Sequence, residues 1–177
     1  MKEIEVKVIG IDCSAIKEKL TKLNANLVKN EFQENHIYAL PKSLGAKGYI
    51  RIRVIKDYLN NNDKTLLCIK KILSQDTVRI VDENEFEVSS FIEAKGFLNS
   101  LNIEFIATEN KERVSYKLND SLIEFEKWDE KVFPLPYIEV ESPCEESLNS
   151  ILDILSINRK YVTSKGLLEI KKDMGLI

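Results

Sequence analysis

Alternation of apolar and charged residues is the dominant pattern along this chain. Residues 3–9 read Glu-Ile-Glu-Val-Lys-Val-Ile, in which apolar side chains recur at every second position. A period of two predicts a strand with one buried face. The same reasoning, with turn residues between the segments, predicts further strands at 27–40, 49–56, 64–72, 77–88, 104–118, 121–128 and 137–141. We therefore expect about eight strands.

Apolar residues at helical spacing predict four helices. The first begins after an N-cap signal at Asp12–Ser14, and the second after Ser89–Ser90. A third is expected over residues 148–155, and a last helix capped at Thr163–Ser164. So many strands at short spacing predict an α+β fold, in which a closed or nearly closed eight-stranded antiparallel β-barrel has helices packed outside. A two-sheet sandwich uses the same pattern and is the alternative.

Length and composition restrict the class of protein. A chain of 177 residues is expected to form a single domain over residues 1–177. Hydrophobic residues at 44% and charged residues at 31% exclude a disordered chain. Acidic residues outnumber basic ones by 29 to 26, so no overall positive field attracts nucleic acid or anionic lipid. Any anion that this protein binds must be held by a local cluster.

Cysteine usage and the first residues predict the compartment. The three cysteines, Cys13, Cys68 and Cys144, form no CxxC pair and are odd in number, which favours a reducing environment. The segment MKEIEVKVIG has no apolar core of a signal peptide, and no stretch reaches the length of a membrane span. We expect a cytoplasmic protein with neither a membrane nor a nucleic acid as its partner.

The charged faces of the predicted strands carry pairs of one sign. An ordinary solvated face mixes both signs with neutral polar residues, and for any single strand such a face remains the alternative. Across all the strands, segregated pairs favour an inward-facing, charged lumen. Its acidic members are Glu3, Glu5, Glu85, Glu87, Glu124, Glu126, Glu139 and Glu141. Its basic members are Lys7, Arg51, Arg53, Lys70, Lys111 and Arg113.

The side chains of this lining indicate the chemical class of its ligand. Clustered carboxylates suit hard cations such as Mg2+ or Mn2+, and Arg and Lys side chains suit phosphate oxygens. The acidic members exceed the basic ones by two, so two divalent ions would make the lining positive. Separate sites for metal and phosphate predict an extended, metal-bound polyphosphate as the ligand.

The same residues carry a family resemblance. EIEVK at 3–7 resembles the ExExK signature of the CYTH superfamily, the triphosphate tunnel metalloenzymes, which include class IV adenylyl cyclases, thiamine triphosphatases and inorganic tripolyphosphatases. Further segments are similar to family strands in the same order, namely YIRIR at 49–53, CIKK at 68–71, ENEFEV at 83–88, KERVSYKL at 111–118 and PLPYIEVES at 134–142. The resemblance spans nearly the whole chain and implies an eight-stranded tunnel that holds a triphosphate with divalent metal.

The resemblance also implies roles for individual residues. Glu3, Glu5 and Lys7 would be catalytic. The metal ligands would be Glu3, Glu5, Glu139 and Glu141, with Glu85, Glu87 and Glu126 as further tunnel acids. The substrate phosphates would be held by Lys7, Arg51, Arg53, Lys70, Lys111, Arg113 and Lys165. This chain departs from the family pattern at Glu126 and Ala39, where relatives have Asp, and at Leu167, where an aromatic residue is common.

Three functions are consistent with these residues. The first is Mg2+- or Mn2+-dependent hydrolysis of inorganic tripolyphosphate or a related triphosphate, such as ATP or thiamine triphosphate, by a monomer or homodimer. The second is a class IV adenylyl cyclase that converts ATP to cyclic AMP, and the third is a binding module without turnover. Hydrolysis is the least demanding, because water is abundant and needs no adenine pocket.

Overall fold

The computed structural model describes residues 2–177, and their strands agree closely with the predicted ones. The strands are β1 (Lys2–Ile9), β2 (Asn26–Ala39), β3 (Lys47–Asp57), β4 (Lys64–Gln75), β5 (Arg79–Val88), β6 (Phe105–Leu118), β7 (Ser121–Trp128), β8 (Tyr137–Ser142) and the short β9 (Val162–Thr163). The helices are α1 (Cys13–Lys22), α2 (Phe91–Ser100), α3 (Glu145–Ile154) and α4 (Leu167–Asp173).

The first eight strands form a closed antiparallel barrel with the four helices outside it. Neighbouring strands follow the order β5-β4-β3-β2-β6-β7-β8-β1, and β1 pairs again with β5 to complete the ring. This closure confirms the predicted barrel, and the two-sheet sandwich is excluded.

Strand β1 is the seam of the barrel. Along one edge, Lys2–Glu5 pair with Arg79–Asp82 of β5, and the next residues pair with β9. Along the other edge, Ile4–Ile9 pair with Tyr137–Ser142 of β8. Glu5 is therefore flanked by Arg79 on one neighbouring strand and by Glu141 on the other.

The main hydrophobic core lies between the barrel wall and helices α1 and α3. Its fully buried members include Val6, Val8, Leu20, Ile123, Ile138, Val140, Leu148, Ile151, Leu152 and Leu155. Each fully buried Leu or Ile contributes about 1.5–3 kcal/mol. A smaller cluster packs α2 against the wall through Tyr38, Ile52, Ala94 and Leu98. Because the apolar side chains face outward into these clusters, the alternate, charged side chains face the lumen.

Helix caps follow the predicted signals in two cases and depart from them in a third. Asp12 Oδ1 accepts hydrogen bonds from the Ser14 and Ala15 amides at the start of α1, and Ser90 Oγ accepts one from the Glu93 amide in α2. The cap expected at Thr163–Ser164 was wrong, because α4 begins after Gly166. The Gly166 amide donates to Glu169 Oε2 at 2.8 Å, so a side chain inside the helix caps it.

Gly48 is required where β3 passes β4. A Cβ atom at this position would lie 2.0 Å from the Lys70 carbonyl oxygen, far inside contact distance. Glycine therefore allows the two strands to pair beside Tyr49 and Lys70, which face the lumen.

Two further expectations concern the described residues as a whole. Cys13, Cys68 and Cys144 are free thiols, whereas the odd cysteine count alone requires only one of them to be unpaired. None of the helices over residues 2–177 is long and apolar enough to cross a membrane.

Candidate functional site

The inward side chains of the barrel, together with residues of α4, line a cavity of about 950 Å3. The acidic residues that line it are Glu3, Glu5, Glu83, Glu85, Glu109, Glu124, Glu139, Glu141 and Glu169. The basic residues that line it are Lys7, Lys29, Lys47, Arg51, Arg53, Lys70, Arg79, Lys111, Arg113 and Lys171. Both charge signs therefore share one cavity, and water screens the buried charges among them only weakly.

One charge cluster is centred on Lys70 of β4. Its Nζ lies 3.0 Å from Glu83, 3.1 Å from Glu5 and 3.4 Å from Glu3. Arg51 of β3 adds contacts of 3.0 Å to Glu83 and 3.2 Å to Glu85. Burial alone would lower the pKa of Lys70, but the surrounding carboxylates, above all Glu5, raise it well above its usual value. Lys70 therefore stays charged.

A second cluster lies across the barrel on β6, β7 and β8. Arg113 lies 2.8 Å from Glu124 and 3.6 Å from Glu139, and it also pairs with Glu126. Burial would raise the pKa of Glu124, but the charges of Arg113 and Lys29 hold it at about 2. Glu124 is thus ionised and paired.

Lys7 of β1 joins the two clusters. Its Nζ lies 2.8 Å from Glu139 in the second cluster and 3.8 Å from Glu5 in the first. The Lys side chain of the EIEVK segment is therefore placed at the centre of the site, with only 4% of its surface exposed.

Glu141 and Glu3 lack sufficient positive charge around them. Among the side chains of residues 3–177, Glu141 has no ion pair, and burial together with the charges of Glu3 and Glu124 raises its pKa to about 7. Burial also raises the pKa of Glu3, which Lys70 offsets only in part. Two carboxylates in this condition are stabilised by an added cation, and their hard oxygens fit Mg2+ or Mn2+. Carboxylate oxygens of Glu124, Glu126 and Glu139 also lie within 4.8 Å of one another, which suits a metal ion.

Arg53 and Lys111 show the opposite imbalance. Arg53 has one ion pair in the described chain, to Glu85 at 3.7 Å, and burial with the charges of Arg51 and Arg113 lowers its pKa. Burial and Arg113 lower the pKa of Lys111 to about 7, although Lys111 pairs with Glu126 at 2.7 Å. An anion entering here would relieve the mutual repulsion of these cations.

Comparison with models of protein families shows the family to which this chain belongs. The family model for the CYTH domain matches residues 1–169. The chain belongs to the CYTH family. A search of curated protein sequences found no significant match.

Solved structures share the CYTH barrel along nearly their whole length. The PH1012 protein of Pyrococcus horikoshii OT3 has a TM-score of 0.78 at 26% identity, over 94% of this chain and 98% of that chain. HpAC1 from Hippeastrum, an adenylyl cyclase candidate with a dominant triphosphatase activity, has a TM-score of 0.63 at 18% identity, over 93% and 91%. The RNA triphosphatase domain of a mimivirus mRNA capping enzyme has a TM-score of 0.51 at 15% identity, over 88% of each chain. The two latter similarities support the fold alone.

Most residues that the CYTH resemblance selects line the cavity, and three do not. Glu126 is 1% exposed and does not itself line the cavity, but it pairs with Lys111 and Arg113, which do. Glu87 is exposed near one end of the barrel, outside the residues that line the cavity. Lys165 is half exposed and pairs with Asp173 at 2.5 Å rather than reaching the lumen.

Several residues that line the cavity were not predicted from the sequence. Arg79 and Glu83 have the same strand parity as Glu85, so extending that alternation toward the start of β5 would have found them. Lys29 and Asn35 belong to β2, where the outward residues include polar ones as well. A period of two is therefore not visible in that part of the CYTH barrel.

Proposed function

We propose that this CYTH protein hydrolyses a triphosphate in a reaction that requires a divalent metal, with inorganic tripolyphosphate as the first substrate to test. The observation that carries the proposal is that one cavity holds both carboxylates with too little positive charge around them and cations with too little negative charge around them. The positive charge near Glu3 and Glu141 does not offset the burial that raises their pKa values, and the negative charge near Arg53 and Lys111 does not offset the burial that lowers theirs. A metal-bound polyphosphate satisfies both.

The cationic residues would hold the phosphate groups. Arg51, Arg53 and Arg113 present planar guanidinium groups that can donate two hydrogen bonds to one phosphate. Lys7, Lys70 and Lys111 act as point charges along the chain of phosphates. Because the three guanidinium groups are buried and anchored on strands, they would stabilise developing negative charge on the transferring phosphoryl group.

The acidic residues would hold the metal and orient water. Glu3, Glu5, Glu139 and Glu141 would bind Mg2+ or Mn2+, which when bound supplies positive charge to phosphate oxygens and lowers the pKa of water. Lys70 and Lys7, which pair with Glu5 and Glu139, would turn toward the phosphates. Glu3, with its raised pKa, would accept a proton from the attacking water at its carboxylate.

ATP is the second substrate to test. Tyr49 and Trp128 are aromatic residues in the cavity wall, and an aromatic ring can stack on a nucleobase. Cyclisation of ATP would use the same cations and metal, with a ribose hydroxyl in place of water.

A substrate panel tests the proposal. Tripolyphosphate, ATP and thiamine triphosphate are each incubated with Mg2+ or Mn2+, and both phosphate and cyclic AMP are measured. We expect phosphate release that EDTA abolishes and that Glu141→Gln lowers by about 100-fold. Glu112→Gln is the matched control, because Glu112 is an exposed residue paired with Lys127 on the outside of the barrel.

Three other outcomes would contradict the proposal. Turnover that survives complete chelation would exclude a metal role for these carboxylates. Formation of cyclic AMP without phosphate release would establish the cyclase. Binding of tripolyphosphate without turnover of any compound would establish a binding module.

A further inference from the structure

Strand β2 contributes a neutral amide to the cationic part of the cavity. Asn35 lines the cavity and is only 1% exposed. It pairs in register with Arg53 of β3 on one side and with Glu109 of β6 on the other. Asn35 therefore lies directly beside the arginine that has the weakest ion pairing in the site.

The amide of Asn35 has one orientation that satisfies its neighbours. Its Nδ2 donates to the Glu109 carbonyl oxygen at 3.2 Å and approaches the Gln33 carbonyl oxygen at 3.5 Å. Both of these partners are acceptors, so the amino group must face them. The amide oxygen then faces β3, where it accepts a hydrogen bond of 3.1 Å from Arg53 Nε.

The hydrogen bond to Asn35 engages Nε of Arg53, whereas a bidentate contact to a phosphate can use the two Nη groups. A guanidinium bound through Nε has its two Nη groups directed away from the contact, in a fork that matches two phosphate oxygens. The one ion pair of Arg53 within the described residues joins Nη1 to Glu85 at 3.7 Å, beyond hydrogen-bond distance. Arg51, by contrast, is within 3.2 Å of two carboxylates.

We propose that Asn35 is a positioning residue: it holds Arg53 by Nε and leaves both Nη groups to bind one phosphate of the ligand. This inference rests on the proposed function, in which the cavity binds a triphosphate. The neutrality of the amide matters as much as its geometry. An aspartate at this position would neutralise Arg53 and would place a carboxylate oxygen against the Glu109 carbonyl, which needs a donor.

The closing experiment is a double-mutant cycle with tripolyphosphate and Mg2+. Asn35→Ala is expected to raise KM about tenfold with a smaller change in kcat. The reason is that Asn35 orients Arg53, the residue that binds the phosphate, and does not bind the phosphate itself. In an Arg53→Ala background, the same substitution should change KM by less than about twofold, because its effect passes through the missing guanidinium. Asn35→Asp, which nearly keeps the shape, should also raise KM.

Asn84→Asp is the matched control. Asn84 is exposed on β5 and does not line the cavity, so the same chemical change there should leave KM within about twofold. If Asn35→Ala leaves KM unchanged, or if its effect multiplies independently with that of Arg53→Ala, the proposal is overturned. If Asn35→Ala fails to fold, Asn35→Asp carries the test, and an unchanged KM in that variant has the same meaning.

Hydrogen exchange of arginine side chains tests the contact without any activity. In the wild-type protein, the Nε–H of Arg53 should exchange more slowly than that of Arg159, whose side chain is 43% exposed. Equal exchange rates would overturn the positioning role. If the wild-type protein neither binds nor hydrolyses tripolyphosphate, the proposed function fails, and the exchange measurement still decides whether Asn35 holds Arg53.

Discussion

Glu141 is the clearest example in this barrel of a residue whose ionised side chain destabilises the folded protein when no ligand is bound. It lies on β8 opposite Glu5, and its pKa is raised to about 7 by burial and by the charges of Glu3 and Glu124. A carboxyl whose folded pKa is raised lowers the free energy of unfolding as pH rises from the ordinary pKa of 4.5 toward 7. The native state thus stores repulsion that a cation can remove.

Glu141→Gln removes this repulsion in the metal-free protein. The variant should be more stable than wild type above neutral pH, by up to roughly 3 kcal/mol, and the difference should vanish at acidic pH, where wild-type Glu141 is protonated. Thermal unfolding of both proteins in EDTA, followed across this pH range, measures the difference. A constant difference at all pH values would show that Glu141 does not titrate as its surroundings imply.

Lys165 is a residue that the family resemblance predicts to bind phosphate but that lies outside the cavity in the structure. It pairs with Asp173 in the same C-terminal segment, and its side chain is 50% exposed. Lys165→Ala should therefore change KM for tripolyphosphate by less than about threefold, whereas Arg53→Ala should raise it by about 100-fold. Steady-state kinetics of the two variants side by side decide the matter. Equal losses would mean that Lys165 turns into the cavity when substrate binds.

Among the elements, strands were easier to predict from sequence than the residues that they bring together. The alternation in EIEVK and YIRIR is local, so it identifies both the strand and its charged face. The choice between Glu83 and Glu87 depends on pairing with β4, where Glu83 lies opposite Lys70 and Glu87 opposite Leu66. Strand register is set by contacts far apart in sequence, so a period of two alone cannot supply it.

The pairing of β3 with β4 depends on Gly48. Gly48→Ala would place a Cβ against the Lys70 carbonyl, so the strands must separate at the point where Tyr49 and Lys70 face the cavity. We expect a loss of several kcal/mol in stability, measured by urea unfolding. Gly96→Ala is the control, because a Cβ at Gly96 in α2 has no neighbour within 4 Å and should stabilise the helix by about 1 kcal/mol. Similar stability of both variants would contradict this role of Gly48.

At the scale of the whole molecule, the charges of the cavity should set an unusual pH optimum for stability. Against the effect of burial, Lys70 lowers the pKa of Glu83, Arg113 that of Glu124 and Lys7 that of Glu139. The stability that these three groups contribute is present above their ordinary pKa of 4.5 and is lost as pH falls below it. Glu141 and Glu3 act in the opposite direction between that pH and neutrality.

Between acidic and neutral pH, where these carboxylates titrate, the metal-free protein should therefore be most stable at about pH 5. Mg2+ should move the optimum toward neutral pH, because the ion binds the ionised forms of Glu3 and Glu141. Unfolding midpoints with EDTA and with Mg2+ across the acid range measure this shift. An optimum that is the same under both conditions would argue that the carboxylates do not bind the metal.

The seam strand β1 also affects how the chain is made. During synthesis β1 leaves the ribosome before the other strands of the barrel, but its partner β8 begins only at Tyr137, and β9 follows at Val162. Until then, the edge of β1 that pairs with β8 lacks its partner, although β5 is already available to the other edge, and the barrel cannot close. Such long-range pairing makes folding slow and leaves strand edges open to wrong pairing. The charges of Glu3, Glu5 and Lys7 oppose such pairing on the nascent chain, so the residues proposed for catalysis would also protect the unfinished protein from aggregation.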